Sequence, residues 1–273
     1  FSGGIFSGFI FKKTKMKILE NLIKPIGYDS AAKYIADMVK SPLFDEMEGF
    51  ISGIFDARPI SRLVERKNVK GVIFWYCNFE NSKIPHLAYQ GTMEEYNEDP
   101  NWLQNLVPNR PIMHNGGLKI FKNIIRKNYT SGTSLPDLIN EIRHNIQNEP
   151  GQSVNEDNER FDSGNMVLLK NRFLQNQGEY LTFPFAYFST KYGNGTSYFQ
   201  QFFEQGEVPF IRYYIGFSNE EVFEHQKIRL ILAPCNENGE SLKKEDCSSS
   251  HLEKFNDPIL LQNSWPPKPS TLL

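Results

Sequence analysis

The apolar positions near the start of the chain first follow a helical spacing. Residues 31–40 carry an apolar stripe that recurs every three to four residues, which predicts an amphipathic helix. The stripe consists of Ala31, Ile35, Met38 and Val39. Asp29 and Ser30 precede it, and both side chains can accept hydrogen bonds from a first helical turn. We therefore expect a helix that is capped within Tyr28-Asp29-Ser30.

Strand-like patterns come next. A short apolar run at residues 49–55 predicts a strand, and Asp56 with Pro59 suits the start of another helix that turns Ile60, Leu63 and Val64 inward. Residues 73–81 and 84–90 predict a β-hairpin. Because side chains alternate across a strand, Ile73, Trp75, Cys77 and Phe79 share one face. We expect Cys77 to be a small buried hydrophobic residue and not a reactive thiol.

The same order of patterns recurs in the second half. Phe161-Asp162-Ser163 precedes a helical stripe over 165–175, followed by an apolar run at 183–188, a helix around 198–203 and a hairpin formed by 211–219 and 228–233. Ile211 falls on Ile73 without a gap, and both copies end in a proline-rich LQN segment, at 103–111 and 261–269. Prolines favour an extended surface tail. The repeated order predicts an internal duplication.

These patterns predict an α+β protein of two tandem pseudo-repeated lobes. Each lobe contains a helix, a strand, a helix, a β-hairpin and a Pro-rich C-terminal tail. The predicted divisions are an upstream extension at 1–15, a first lobe at 16–115, a linker at 116–160 and a second lobe at 161–273. The linker is expected to hold two helices, at 118–127 and 136–147, and a polar acidic stretch at 148–159.

The second lobe carries the segments IRYYIG, IRLILAP, NENGESL and LLQNSWPPKP. With these segments it resembles a group of uncharacterised bacterial proteins that are built as helix, strand, helix, hairpin and proline-rich tail. The resemblance covers residues 161–269, and more faintly 28–111. It implies an architecture and no activity.

Composition narrows the possible partners and the compartment. The chain has 273 residues with 30 basic and 32 acidic side chains, so no positive excess favours nucleic acid. No apolar run reaches the roughly 20 residues that span a bilayer. Residues 1–15 place apolar residues before basic ones, the reverse of a secretory signal. Three cysteines without a close pair fit a reducing compartment, so we expect a cytoplasmic protein.

Candidate metal ligands are His225, Cys235, Cys247 and His251, which are side chains that zinc prefers. They lack the CxxC or HxxxH spacing that would form one edge of a tetrahedral site, so we predict no metal. The sequence does not determine whether these four side chains lie close together in the fold.

Catalytic and anion-binding patterns are weak. Cys247 or Ser248 near His251 could act as a nucleophile and base, but no GxSxG elbow is present and the catalytic residues stay unknown. The glycine-rich segments 193–197 and 114–117 could cradle an anion ahead of a helix. Turn and cap chemistry is the alternative explanation, since Gly, Asn and Ser are the usual residues there.

The predicted function is non-catalytic binding or scaffolding, with another protein as the partner and no cofactor. Trp265 in the last proline-rich tail is a candidate anchor for such a partner. The alternative is an enzyme or small-molecule binder with a site between the two lobes. That alternative predicts a deep cleft that gathers His114, Arg212 or His225 with carboxylates from both lobes.

Overall fold

A computed structural model of the chain describes two antiparallel β-sheets and the helices around them. The described residues are 23–78, 83, 85–92, 118–120, 124–126, 129–151, 159–161, 175, 185–192, 195–218 and 227–263. The chain is an α+β protein, as the sequence predicted. None of the described helices has the length and apolar character needed to cross a membrane.

The larger sheet, sheet A, has six strands. They are β1 (Ile23–Ile26), β2 (Phe50–Asp56), β6 (Ile124–Arg126), β11 (Phe210–Phe217), β12 (Ile228–Cys235) and β13 (Leu260–Asn263). Their order across the sheet is β1, β13, β12, β11, β2, β6, and every pair of neighbours is antiparallel. Alternation along β11 turns Tyr213 to one face of the sheet and Arg212 to the other.

The smaller sheet, sheet B, has five strands. They are β3 (Gly71–Cys77), β4 (His86–Thr92), β5 (Leu118–Ile120), β7 (Glu159–Phe161) and β8 (Phe185–Ser189). Their order is β7, β5, β4, β3, β8, again antiparallel throughout. Two short strands, β9 (Lys191–Tyr192) and β10 (Gly195–Thr196), pair separately with each other.

Six described α-helices surround the sheets. They are α1 (Tyr28–Lys40), α2 (Pro42–Glu46), α3 (Arg58–Val64), α4 (Leu135–Gln147), α5 (Tyr198–Glu204) and α6 (Ser249–Phe255). The buried stripe of α1 packs against α4 and β11. A Cβ at Gly216 would lie 2.9 Å from the Cβ of Tyr34, so this glycine lets α1 approach the strand closely.

The inner faces of the two sheets meet in an aromatic core. The ring centroids of Phe55 in sheet A and Phe74 in sheet B are 6.2 Å apart, and Phe74 also contacts Phe188 and Phe199. All four side chains are buried. Helix α5 contributes Phe199 to this core, while α5 itself contacts α3. These contacts place α3 beside the first residues of β11, where Ala57 N–H donates to Pro209 O at 2.8 Å.

Both sheets combine strands from both halves of the sequence. Strand β2 pairs with β11, and β8 pairs with β3, so each half lends a strand to the hairpin of the other half. Strands β1 and β7 are exchanged in the same way, to β13 and β5. The strands of the predicted lobes 16–115 and 161–273 are therefore not segregated into separate sheets. The two-lobe repeat is not confirmed and stays a prediction.

Many predicted elements are confirmed. Helices α1, α3, α4 and α5, strands β2 and β8, and both hairpins lie where the apolar spacing placed them. Cys77 is buried, as expected from its place on β3. The helix predicted at 165–175 and the proline-rich segment 103–111 fall largely or wholly outside the described residues.

Other predicted elements are wrong. Residues 118–120 and 124–126 form strands, although a helix was predicted over 118–127. Leu261-Gln262-Asn263 is not a surface tail, because these residues belong to β13, which pairs with both β12 and β1. The cap of α1 is also different: Gly27 is the N-cap residue, and no side chain caps the helix.

The predicted equivalence of Ile73 and Ile211 disagrees with the strand pairing. Ile211 pairs with Phe55, whereas the residue that pairs with Phe188 is Val72. Val72 and Ile211 both belong to the central core, and Ile73 does not. Because a shift of one residue reverses the face of a strand, Val72 is the better match for Ile211.

Candidate functional site

A buried ion pair lies on the helix side of sheet A. Arg212 Nη1 donates to Glu149 Oε2 at 2.5 Å, and the two side chains are 1% and 2% exposed. Arg212 Nη2 also donates to the carbonyl oxygens of Gly239 and Pro150, at 2.8 and 3.3 Å. A guanidinium that is removed from water needs such partners, because an uncompensated buried charge is costly.

This ion pair joins three segments of the chain. Glu149 follows α4, Arg212 lies on β11, and Gly239 lies in the turn after β12. Ser241 strengthens the junction, since its Oγ donates to Ile146 O at 2.6 Å. Arg212 is thus held inside the core and not in a cleft, so it does not provide the catalytic cleft that the enzyme alternative predicted. Glu149 also belongs to the stretch 148–159 that was predicted as a polar linker, and it is buried.

The candidate metal ligands are spread over different local environments. Cys235 ends β12 in the core, where burial raises the pKa of its thiol to about 11 despite the nearby Arg212. His251 is buried in α6, stacks on Phe255 and has its Nε2 2.9 Å from Asp257 O. His225 lies outside the described residues. Within the described ranges, no three His, Cys, Asp or Glu side chains are grouped to hold a metal ion.

The candidate nucleophiles have structural contacts. Cys247 is half-buried, burial and the nearby Asp246 raise its pKa to about 11, and its Sγ lies 3.5 Å from Lys243 O. Ser248 is the N-cap residue of α6 and accepts a hydrogen bond from His251 N–H. A thiol with a raised pKa carries little thiolate at neutral pH and is a poor nucleophile.

Ser197, the last residue of the glycine-rich segment 193–197, is the N-cap residue of α5. Ser197 accepts a hydrogen bond from Gln200 N–H, and Gln200 Oε1 accepts one from Ser197 N–H. This is a capping box, which satisfies two of the N–H groups at the helix start that an anion could otherwise bind. The other candidate cradle, at 114–117, and the candidate anchor Trp265 lie outside the described residues.

A cavity of about 370 Å³ lies beside α3. Its lining residues come from α3 and its C-cap residue, from α5 and the segment that joins α5 to β11, and from the turn after β12. They are Arg58, Ser61, Arg62, Glu65, Phe203, Glu207, Val208, Pro209 and Glu237. We call this the α3 cavity. It combines residues of both halves of the sequence.

The α3 cavity has a charged rim and an apolar floor. Its five charged lining residues are exposed, whereas Val208 and Pro209 are buried and Phe203 is half-buried. On α3, residues 58, 61, 62 and 65 share one helix face because they are three or four residues apart. The hydrogen bond from Ala57 N–H to Pro209 O holds the two walls together.

The Arg58 side chain is fixed on the rim. Its Nε and Nη2 atoms donate to the two carboxylate oxygens of Asp56, each at 2.9 Å. The guanidinium carbon also lies 6.0 Å from the centroid of the Phe210 ring, within range of a cation–π contact. Asp56 was predicted to cap α3; it instead accepts from Arg58 N–H and pairs with the Arg58 side chain, while Ala57 is the N-cap residue.

The chemistry of the α3 cavity favours binding. Among the described residues that line it there is no histidine or cysteine, and Ser61 Oγ donates to Glu65 Oε1 at 3.3 Å. Sequence reasoning missed this site because its walls come from separate segments. No protein-family model, curated protein or solved structure matches the chain. One local signal existed: Arg58, Ser61, Arg62 and Glu65 form a polar face opposite the apolar face of the predicted helix.

Proposed function

We propose that this chain is a non-catalytic binding protein whose partner is another protein, and that the α3 cavity receives part of that partner. The observation that carries the proposal is the combination of an apolar floor with a rim of exposed charges in one cavity. Recognition sites typically pair an apolar centre with a polar rim. Asp56 holds the Arg58 side chain, and the hydrogen bond from Ala57 N–H to Pro209 O joins the two walls of the cavity.

A peptide-display selection tests this proposal. A random peptide library is selected on the purified protein, and the enriched peptides are measured against Ser61→Trp, which fills the cavity from α3. Ser30→Trp on the exposed part of α1 is the matched control. The proposal expects Ser61→Trp to abolish binding and Ser30→Trp to leave it unchanged. Equal binding by both variants, or failure to enrich any peptide, would contradict it.

The second candidate is a small-molecule binder, and two observations favour it. Residues of both halves of the sequence line the α3 cavity, and its volume falls within the roughly 300–1,000 Å³ of small-ligand pockets. Thermal shift with a panel of charged metabolite-sized compounds tests it. A compound that raises Tm in the wild type but not in Ser61→Trp would support this candidate over the first.

The proposal includes a cytoplasmic location and no nucleic-acid partner. The chain has three cysteines, and all three are free thiols in the structure. Free buried thiols are compatible with a reducing compartment. The near-balanced charge of the chain supports a partner other than nucleic acid. Trapping the thiols by alkylation in intact cells, followed by mass spectrometry, checks the location, since oxidised cysteines would argue against it.

A further inference from the structure

The charges around the α3 cavity do not cancel. Arg58 is neutralised by Asp56 through two bonds of 2.9 Å. The remaining charged lining residues are one positive, Arg62, and three negative, Glu65, Glu207 and Glu237. One positive and three negative charges leave the cavity with an excess of negative charge.

Glu207 and Glu237 are the carboxylates available to a ligand. Both are exposed, and neither makes an ion pair with the described residues. They come from different segments, the loop before β11 and the turn after β12, yet both line the same cavity. Glu65 is partly engaged, because it accepts a hydrogen bond from Ser61.

The floor of the cavity complements these carboxylates. Phe203, Val208 and Pro209 supply apolar surface below the rim. A lysine or arginine side chain has a long methylene stem that lies on apolar surface while its charged head stays near water. An acidic side chain or a phosphate would meet like charge, which costs association free energy.

We infer that the α3 cavity binds a lysine or arginine side chain of the partner protein, with the stem on Phe203, Val208 and Pro209 and the charge beside Glu207 and Glu237. This inference rests on the proposed function and specifies its partner. It also predicts a salt-dependent interaction, because the carboxylates are exposed and therefore screened.

Charge reversal in the same peptide selection tests the inference. The double variant Glu207→Lys/Glu237→Lys changes the rim, and Glu245→Lys/Glu253→Lys is the control, since both of its positions are exposed and it changes net charge equally. We expect wild type and control to enrich peptides that share a Lys or Arg. The rim variant should bind those peptides about tenfold more weakly or worse and enrich acidic peptides instead.

The outcomes separate the inference from the proposed function. If the selected peptides bind the wild type but not Ser61→Trp, and are not enriched in Lys or Arg, the inference is overturned while the proposed protein binding stands. Basic peptides that bind the wild type and the rim variant equally would also overturn it. Binding that Ser61→Trp does not affect would overturn the proposed function itself. Circular dichroism of each variant establishes that the fold is retained.

Discussion

Sheets A and B are similar in how they combine strands from the two halves of the sequence. In sheet A the order is β1, β13, β12, β11, β2, β6. The strands β1, β2 and β6 come from the N-terminal half and flank three consecutive strands from the C-terminal half. In sheet B the order β7, β5, β4, β3, β8 reverses these contributions. Each half therefore completes the sheet of the other half. Neither half contains a complete sheet of its own.

The two sheets differ on the faces that point away from the shared core. In sheet A this face carries buried polar side chains, among them Ser52, Arg212 and Tyr214. In sheet B the corresponding face of β3 carries the apolar residues Ile73, Trp75 and Cys77, all buried. Sheet A consequently bears the cost of buried polar groups, which the Arg212–Glu149 ion pair offsets in part, whereas sheet B depends on apolar packing.

Separation of the two halves after cleavage is expected to have the largest effect. A protease site is placed within residues 152–158, and the cut chain is analysed by size exclusion under native conditions and after denaturation. Because β1–β13, β2–β11, β3–β8 and β5–β7 pairings join the fragments, they should stay associated with retained secondary structure. Each isolated fragment should be unfolded. Fragments that separate and keep their structure would refute the mutual dependence of the halves.

The ion pair of sheet A should give the largest effect of a single substitution. Glu149→Ala leaves the Arg212 guanidinium buried without its carboxylate, which costs about 3–5 kcal/mol of unfolding free energy. Urea denaturation followed by circular dichroism measures this loss. A midpoint equal to that of the wild type would show that the pair does not stabilise the junction.

A double substitution serves as the control for this prediction. Arg212→Met/Glu149→Leu removes both charges and keeps apolar volume, so it should be more stable than Glu149→Ala. Recovery should be incomplete, because the carbonyl oxygens of Gly239 and Pro150 lose their donor. A double variant that is less stable than the single one would mean that packing, and not the charge, sets the cost.

Each sheet contains a glycine that packs against a tyrosine ring, so the cost of the same substitution can be compared between the two sheets. A Cβ at Gly53 would lie 2.6 Å from the Tyr213 ring, and one at Gly71 would lie 2.4 Å from the Tyr187 ring. Both rings are buried and cannot move aside without disturbing their neighbours. We expect Gly53→Ala and Gly71→Ala each to cost about 2 kcal/mol through overpacking. Thermal unfolding measures both.

The tyrosines allow a control for the clash. Truncation to Tyr213→Ala should largely remove the additional cost of Gly53→Ala, and Tyr187→Ala should do the same for Gly71→Ala. If the glycine and tyrosine substitutions lower the unfolding free energy additively in either double variant, the clash is not the cause of the cost of the glycine substitution. A larger cost at Gly71 is expected, because Tyr187 Oη is also held by a hydrogen bond to Lys70 O at 3.2 Å.

Local periodicity explains which parts of the fold could be predicted. The stripe of α1 and the alternation of β3 and β11 are properties of short segments, so their elements were found. Residues 118–127 were assigned to a helix because Ile120, Ile124 and Ile125 fit helical spacing as well as two short strands. The exchange of β2 and β8 between halves was not predictable, because no local pattern specifies which distant strand becomes a neighbour.

The candidate site was less accessible to sequence reasoning. The alternation along β11 predicts that Arg212 and Tyr213 lie on opposite faces of the strand. It does not show that Glu149, which follows α4, lies beside Arg212. The α3 cavity requires the loop before β11 and the turn after β12 to meet α3. Both contacts depend on the strand exchange. The site and the exchange were therefore missed for the same physical reason.

The buried thiols give the smallest predicted effect and compare the sheets once more. Cys77 in sheet B and Cys235 in sheet A are both buried, and burial raises the pKa of both thiols. For Cys235 the pKa is about 11, against 9.0 for an exposed thiol, so the folded state keeps its proton at a pH where the unfolded chain loses it. The stabilising contribution is complete below pH 9 and is lost as pH rises towards 11.

Substitution of each thiol isolates this pH dependence. The loss expected for Cys235 between pH 8 and pH 10 is about 1.4 kcal/mol of unfolding free energy. Cys235→Ala should remove that slope, and Cys77→Ala should remove a similar slope, since both folded thiols stay protonated in this range. Urea titrations across that range measure both slopes. If the wild type and the variants lose unfolding free energy in parallel, groups other than these two thiols titrate. If the pH dependence becomes flatter in only one variant, the nearby Arg212 makes the titration of Cys235 differ from that of Cys77.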